Sequence, residues 1–201
     1  MAGQRRSCAD DGLGLWSRLR VDIAHVMPKA NHPKELLKRV QTLMKKERWQ
    51  DAIKLVKENA SVVENYSELL WNFGWCYFKL ERMNEAQKYL TRAIRLSPKS
   101  YRCKFGLGVV YLEKKQYQKA ESLLSEALEI KDNYITRISL ALAYQAQGKL
   151  EEAETIHVNG IKLKPKESQR YEAYADFLSD IGREAEAGKM TRKATELQRI
   201  N

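Results

Sequence analysis

Glycine and proline are scarce in this chain, 10 and 4 among 201 residues, which excludes a collagen-like or loop-dominated build. Cysteine is rarer still. Cys8, Cys76 and Cys103 are odd in number and form no Cys-x-x-Cys pair, so neither a disulfide framework nor a zinc finger is available. No run of eighteen apolar residues occurs, so no membrane span is expected. Acidic residues are outnumbered, 26 against 36 Lys and Arg, and the net charge of +10 attracts acidic surfaces without naming one. The rest is rich in Ala, Leu, Glu and Lys, with 43% hydrophobic residues, enough to bury a core. The composition implies a soluble, mostly helical protein of a reducing compartment, expected in the cytoplasm.

Residues 1–32 read as a leader. Leu15, Trp16, Leu19, Ile23 and Val26 share one side of an amphipathic helix over about 13–27, and Pro28 and Pro33 punctuate the chain after it. Arg18 and Arg20 give it the look of an organelle-import peptide, whereas Asp10, Asp11 and Asp22 argue against one, because such peptides are poor in acid.

The strongest signal is self-similarity. Gly74, Tyr77, Ala86, Leu90, Ala93 and Pro98 recur thirty-four residues later as Gly108, Tyr111, Ala120, Leu124 and Ala127, with only the proline lost. Ala141, Tyr144, Ala153, Gly160 and Pro165 come next, one residue early, then Ala175, Leu178, Ala187 and Ala194. A worn copy holds Leu36, Leu43, Ala52 and Val56. The units are 33–66 (degenerate), 67–100, 101–133, 134–167 and 168–201. Each splits into two helical stretches joined by a Gly, Glu or Lys turn. Small residues on both helices let the backbones approach, and tyrosines fill the wedge beside them. One hairpin cannot bury its own apolar stripe, so neighbours must stack.

These residues in this register resemble the tetratricopeptide repeat family, strongly over 67–201 and weakly over 33–66. The resemblance implies an all-α, right-handed α-solenoid of stacked helix-turn-helix hairpins over 33–201, with the leader helix before it. It also implies a concave side lined by positions 2, 5, 9, 12 and 13 of each unit. Those positions hold Glu68, Trp71, Trp75, Phe78 and Lys79, then Arg102, Phe105, Val109, Leu112 and Glu113, then Ile135, Ile138, Leu142, Gln145 and Ala146. An apolar and aromatic strip of that extent suits a partner. A helix buried on both sides reads the same way, and the leader could fold back over the strip as a lid. In the last unit Glu172, Asp176 and Asp180 form an acidic stripe. It reads either as the end of the groove, suited to a partner segment carrying Lys or Arg, or as a solvated face of a capping repeat. The family's clamp for the acidic tail of heat-shock chaperones is absent, since of Leu37, Gln41, Asn72, Arg102 and Gly106 only Asn72 and Arg102 fit it.

No catalytic set, metal set or cofactor cradle emerges. His157 sits where a second helix faces the core and reads as structural. Gly106 and Gly108 lack the lysine-serine of a phosphate loop. Glu151, Glu152 and Glu154 open a helix and favour its dipole. Cys76 and Cys103 read as buried, inert thiols. The leading expectation is therefore a non-catalytic scaffold holding an apolar or amphipathic peptide or helix of a protein partner. The alternative is an RNA- or acidic-surface-associated repeat protein. It rests on the first hundred residues, where 19 Lys and Arg face 11 acids, most densely at Lys38, Arg39, Lys45, Lys46 and Arg48. Against it, RNA-reading pentatricopeptide units are one residue longer. Leu197 and Ile200 would offer apolar surface for self-association through the end repeats.

Overall fold

The computed structural model describes residues 33–200, and the expected leader over 1–32 lies outside the described residues. Among the described residues there are eleven helices and no strand. They are α1 (Pro33–Lys45), α2 (Trp49–Glu58), the single turn α3 (Ala60–Val63), α4 (Ser67–Lys79), α5 (Met83–Leu96) and α6 (Tyr101–Glu113). The chain continues through α7 (Tyr117–Ile130), α8 (Tyr134–Gln145), α9 (Leu150–Leu163), α10 (Ser168–Asp180) and α11 (Glu184–Ile200). α4 packs on α5, α6 on α7, α8 on α9 and α10 on α11, and each pair packs on the next. The result is the right-handed α-solenoid that the repeat implied. First helices also touch one another directly, α1 with α4, α4 with α6 and α6 with α8. That crowding marks the side they share as the inner, concave one.

The turn inside each hairpin repeats atom for atom. Glu47, Glu81, Lys115, Gly148 and Gly182 all adopt positive φ, between 56° and 78°, at intervals of 34, 34, 33 and 34 residues. At all five, the next backbone N–H reaches back to the first helix: Arg48 to the Leu43 carbonyl, Arg82 to Tyr77, Gln116 to Tyr111, Lys149 to Tyr144 and Arg183 to Leu178, at 2.8–3.0 Å. This left-handed C-terminal cap satisfies carbonyls the helix would otherwise leave open. It also sends the chain straight into the second helix.

Small residues then set how near the two helices lie. A methyl on Gly74 would stand 2.7 Å from Leu90 Cγ, and one on Gly108 would stand 2.8 Å from Leu124 Cγ. Opposite them Ala86, Ala120 and Ala153 are fully buried. The core is one row of clusters. Tyr111 packs against both the cluster around Leu90 and that around Leu124, and Tyr144 and Ile156 link the latter to the cluster around Leu178. Its chemistry changes along the row. Leu36, Leu69, Leu70, Leu90 and Leu124 fill the first part, with Asn59 and Asn72 as its buried polar side chains, whereas the second buries Thr136, Ser139, His157 and Arg170 beside Leu140, Phe177 and Leu178.

Candidate functional site

Helix α4 carries Glu68, Trp71, Trp75 and Phe78 at helical spacing, so they form one column on the inner face. The indoles of Trp71 and Trp75 stack, with centroids 5.6 Å apart and planes 12° apart. Trp75 also meets Phe78 at 4.9 Å and, across on α6, Phe105 at 6.0 Å. Trp71 is braced rather than free. Its Nε1 donates to the Arg102 carbonyl at 2.8 Å, and the Arg102 guanidinium lies over its ring at 4.3 Å. Arg102 reaches Glu68 at 3.4 Å in turn. Gly106 makes this possible, because a Cβ there would stand 2.9 Å from the indole nitrogen. The glycine that hints at a phosphate loop in the sequence is a seat for tryptophan.

The strip continues along the solenoid. Val109 and Leu112 are half-buried on α6, and Leu112 packs with Phe105 against the Leu124 cluster. On α8, Ile138 is half-buried, while Ile135 and Leu142 stand 58% and 45% exposed. Helix α10 then supplies Glu172 and Asp180 on the same side, with Asp176 between them. Glu172 accepts from the Gln198 amide, and Asp180 accepts from Gln145 Nε2 at 3.1 Å. Burial raises the Tyr134 phenol pKa above its ordinary value, and the charges of Glu172 and Asp176 raise it further. Among the described residues no cation pairs with any of these three carboxylates. The structure thus brings the aromatic residues of α4 and α6 into direct contact and sets the acids of α10 beside α8. It leaves the 13–27 segment, and with it the lid, outside the described residues.

Groups with reactive side chains elsewhere serve packing. His157 is buried between Tyr174 and Phe177, and burial pulls its imidazole down to about 4, against a small opposing effect of Glu154. Burial pushes the Cys76 thiol up to about 12 and raises Cys103, which keeps both protonated and unreactive. Glu151 and Glu152 occupy the first turn of α9. Glu154 does something the sequence did not suggest: it accepts from the Tyr174 hydroxyl and pairs with Arg183 at 2.8 Å, tying α9 to the last hairpin. Asn72 turns inward onto the Glu68 carbonyl at 2.7 Å, away from any clamp. Among the described residues no group of three or more His, Cys, Asp or Glu is placed to hold a metal. No described helix is long and apolar enough to cross a membrane.

Stacked hairpins with a five-fold repeated turn and an aromatic inner face define a helical-repeat protein. A tetratricopeptide repeat family model matches residues 81–143 and, overlapping them, 111–177, so over these residues the chain is built of tetratricopeptide repeats. It is 28% identical over 122 residues to the BBSome complex member BBS4 homolog of Drosophila melanogaster, covering 60% of this chain and 25% of that protein. It is 26% identical over 160 residues to Protein IFIT1 homolog B of Homo sapiens, covering 69% of this chain and 34% of that one. The chain therefore spans about a quarter to a third of the length of these relatives. Among solved structures, MamA residues 41 to the end from Desulfovibrio magneticus RS-1 superposes with a TM-score of 0.71 at 21% identity, covering 85% of this chain and 97% of that one. This last likeness concerns the fold.

Proposed function

We propose that the protein is a non-catalytic interaction scaffold whose concave groove holds an amphipathic segment of a protein partner. The segment's apolar side would lie on Trp75, Phe78, Phe105, Ile138 and Leu142, and its basic end would meet Glu172, Asp176 and Asp180. One observation carries the reading: an inner strip, open at Ile135 and Leu142, runs into three carboxylates that have no cation partner among the described residues. In a chain of net charge +10, an acid row without cations costs stability through like-charge repulsion along the helix, roughly 0.2–0.5 kcal/mol per pair. A basic partner segment would offset that cost. Trp71, held by Arg102 and Gly106, would serve as the platform and Trp75 as the contact ring. Relatives named as members of the BBSome complex are in keeping with a part in an assembly.

A random peptide library panned on the full chain, followed by fluorescence titration of the recovered peptides, tests this. Recovered peptides should combine Leu, Phe or Trp with Lys or Arg. Trp75→Ala should weaken them about tenfold or more, as loss of an aromatic anchor does, while the helical circular dichroism persists. Glu172→Gln with Asp176→Asn and Asp180→Asn should weaken only the basic peptides and flatten their salt dependence. Loss of the helical signal in Trp75→Ala would place that ring in the core and end the groove reading.

A further inference from the structure

The outer side of the solenoid carries a second, different surface. Asn84, Gln87, Lys88, Arg92 and Arg95 form one row along α5, and Lys114 closes the groove from the α6–α7 turn. The cations number four, and among the described residues no carboxylate lines the groove. The Lys114 ammonium is held by neutral oxygens, Asn84 Oδ1 at 3.0 Å and Gln87 Oε1 at 2.7 Å, so it is positioned without being neutralised. Lys88 lies over the Tyr89 ring at 5.7 Å. Arg92 has an acid nearby, Glu64 at 3.7 Å, on the groove's margin and itself 61% exposed.

The fold does not require these charges. One repeat later, the positions of Asn84, Lys88, Arg92 and Arg95 hold Gln118, Ser122, Glu126 and Glu129. The same outward register is thus built from a hydroxyl and acids on α7. Nor do the cations balance acids of their own helix, since Glu85 pairs with Arg82.

We propose that this outer groove of α5 is a docking surface for an acidic segment of a partner protein. Charge complementarity supports it, and the lining selects among anions. Binding of single-stranded nucleic acid would use exposed rings as stacking platforms, and the described lining holds none. A membrane surface would use apolar residues to insert, and the described lining is wholly polar. Arginine forks and a fixed ammonium suit carboxylates, as the approach of Glu64 to Arg92 illustrates. Lys88 and Arg92 are one helical turn apart, about 6 Å. Alternate side chains of an extended segment, about 6.6 Å apart, match that spacing.

The test uses the full chain and a fluorescein-labelled twelve-residue peptide with Glu at every second position, beside its Gln counterpart, at low and moderate salt. The Glu peptide should bind and the Gln peptide should not. Lys88→Glu with Arg92→Glu and Arg95→Glu should weaken binding about tenfold or more, and the milder Arg95→Gln about threefold, with helical dichroism unchanged. Lys38→Glu with Arg39→Glu and Lys45→Glu, the same change of net charge elsewhere, should leave binding within about twofold. Glu64→Gln should tighten it about twofold by freeing Arg92. Trp75→Ala should have no effect, which separates this surface from the inner groove. Equal losses from the two charge-reversal sets would overturn the proposal, as would tighter binding of poly-uridylate RNA or anionic vesicles through the same residues.

Discussion

At position 157 a histidine fills the slot that Leu90 and Leu124 fill in the two preceding hairpins. Its ring neighbours, Tyr174 and Phe177, carry no charge, and Glu154 offsets only part of the cost of burying one. The folded protein therefore holds it neutral, with a pKa of about 4 against 6.5 for the free side chain. A depressed histidine pKa means that the unfolded chain takes up a proton the folded one refuses. Stability is thus full above pH 6.5 and falls as the pH drops toward 4. The expected loss is about 2 kcal/mol between about pH 7 and pH 5 from this residue alone. His157→Leu should raise the urea midpoint at about pH 5 and flatten its dependence on pH above that. An unchanged dependence would mean the ring is solvated. Gly106 gives a second test at this scale. Gly106→Ala pushes a methyl against the Trp71 nitrogen and Leu90 Cδ2, and should cost about 1–3 kcal/mol as overpacking does. It should also abolish the exciton signal of the stacked Trp71–Trp75 pair in circular dichroism. Gly106→Ser retaining that signal would show that the seat is roomier than its distances imply.

At the scale of the element, the hairpin turn is the most regular feature of the molecule, and three of its five copies violate backbone preference. Glu47, Glu81 and Lys115 hold φ between 56° and 59° where Gly148 and Gly182 adopt positive φ at little cost. A non-glycine residue there costs roughly 1–2 kcal/mol, and glycine returns about 0.5–1 of that as chain entropy. Lys115→Gly should therefore stabilise by about 0.5 kcal/mol and raise the thermal midpoint slightly. A fall in the midpoint would show that the Lys115 side chain supplies more than its position suggests. The helices themselves were legible in the sequence because their determinants are local. Gly74 and Ala86, or Gly108 and Ala120, announce close approach by their size alone, and Tyr111 and Tyr144 mark the joints between hairpins. The brace around Trp71 was not legible. It joins Glu68, Arg102 and Gly106 across a hairpin, and nothing in the local pattern of either helix says that a carbonyl of one will meet an indole of the other. The outer basic row was hidden for a related reason, since Lys114 lies far in sequence from the α5 residues that hold it.

Across the whole molecule the repeat is regular in backbone but graded in chemistry, and in a stacked array each hairpin is stabilised only by its own packing and its neighbours. The first part of the row buries Leu69, Leu70, Leu90 and Leu124. The second buries Thr136, Ser139 and His157. It also buries Arg170, whose Nε pairs with Glu167 at 2.8 Å while its Nη1 finds no acceptor among the described residues. An unmet buried donor costs about 1–3 kcal/mol, and the polar side chains bring less apolar area out of water than leucines would. Polar contacts supplement the apolar joint of Leu124, Leu140 and Ala143: the Lys149–Glu121 pair at 2.8 Å ties the second part to α7, and Glu154, Tyr174 and Arg183 tie α9 to the last hairpin. Unfolding should therefore begin in the second part. In hydrogen exchange at sub-denaturing urea, α8–α11 should lose protection together before α4–α7. Lowering the pH from about 7 to about 5 should widen the gap, because His157 lies in the half that opens first. The same grading bears on the proposed binding, for the carboxylates of α10 sit on that half, while the aromatic column of α4 rests on the other. A basic peptide that bridges the two should raise protection most strongly in α10, and uniform protection along the row without ligand would remove the basis for that expectation.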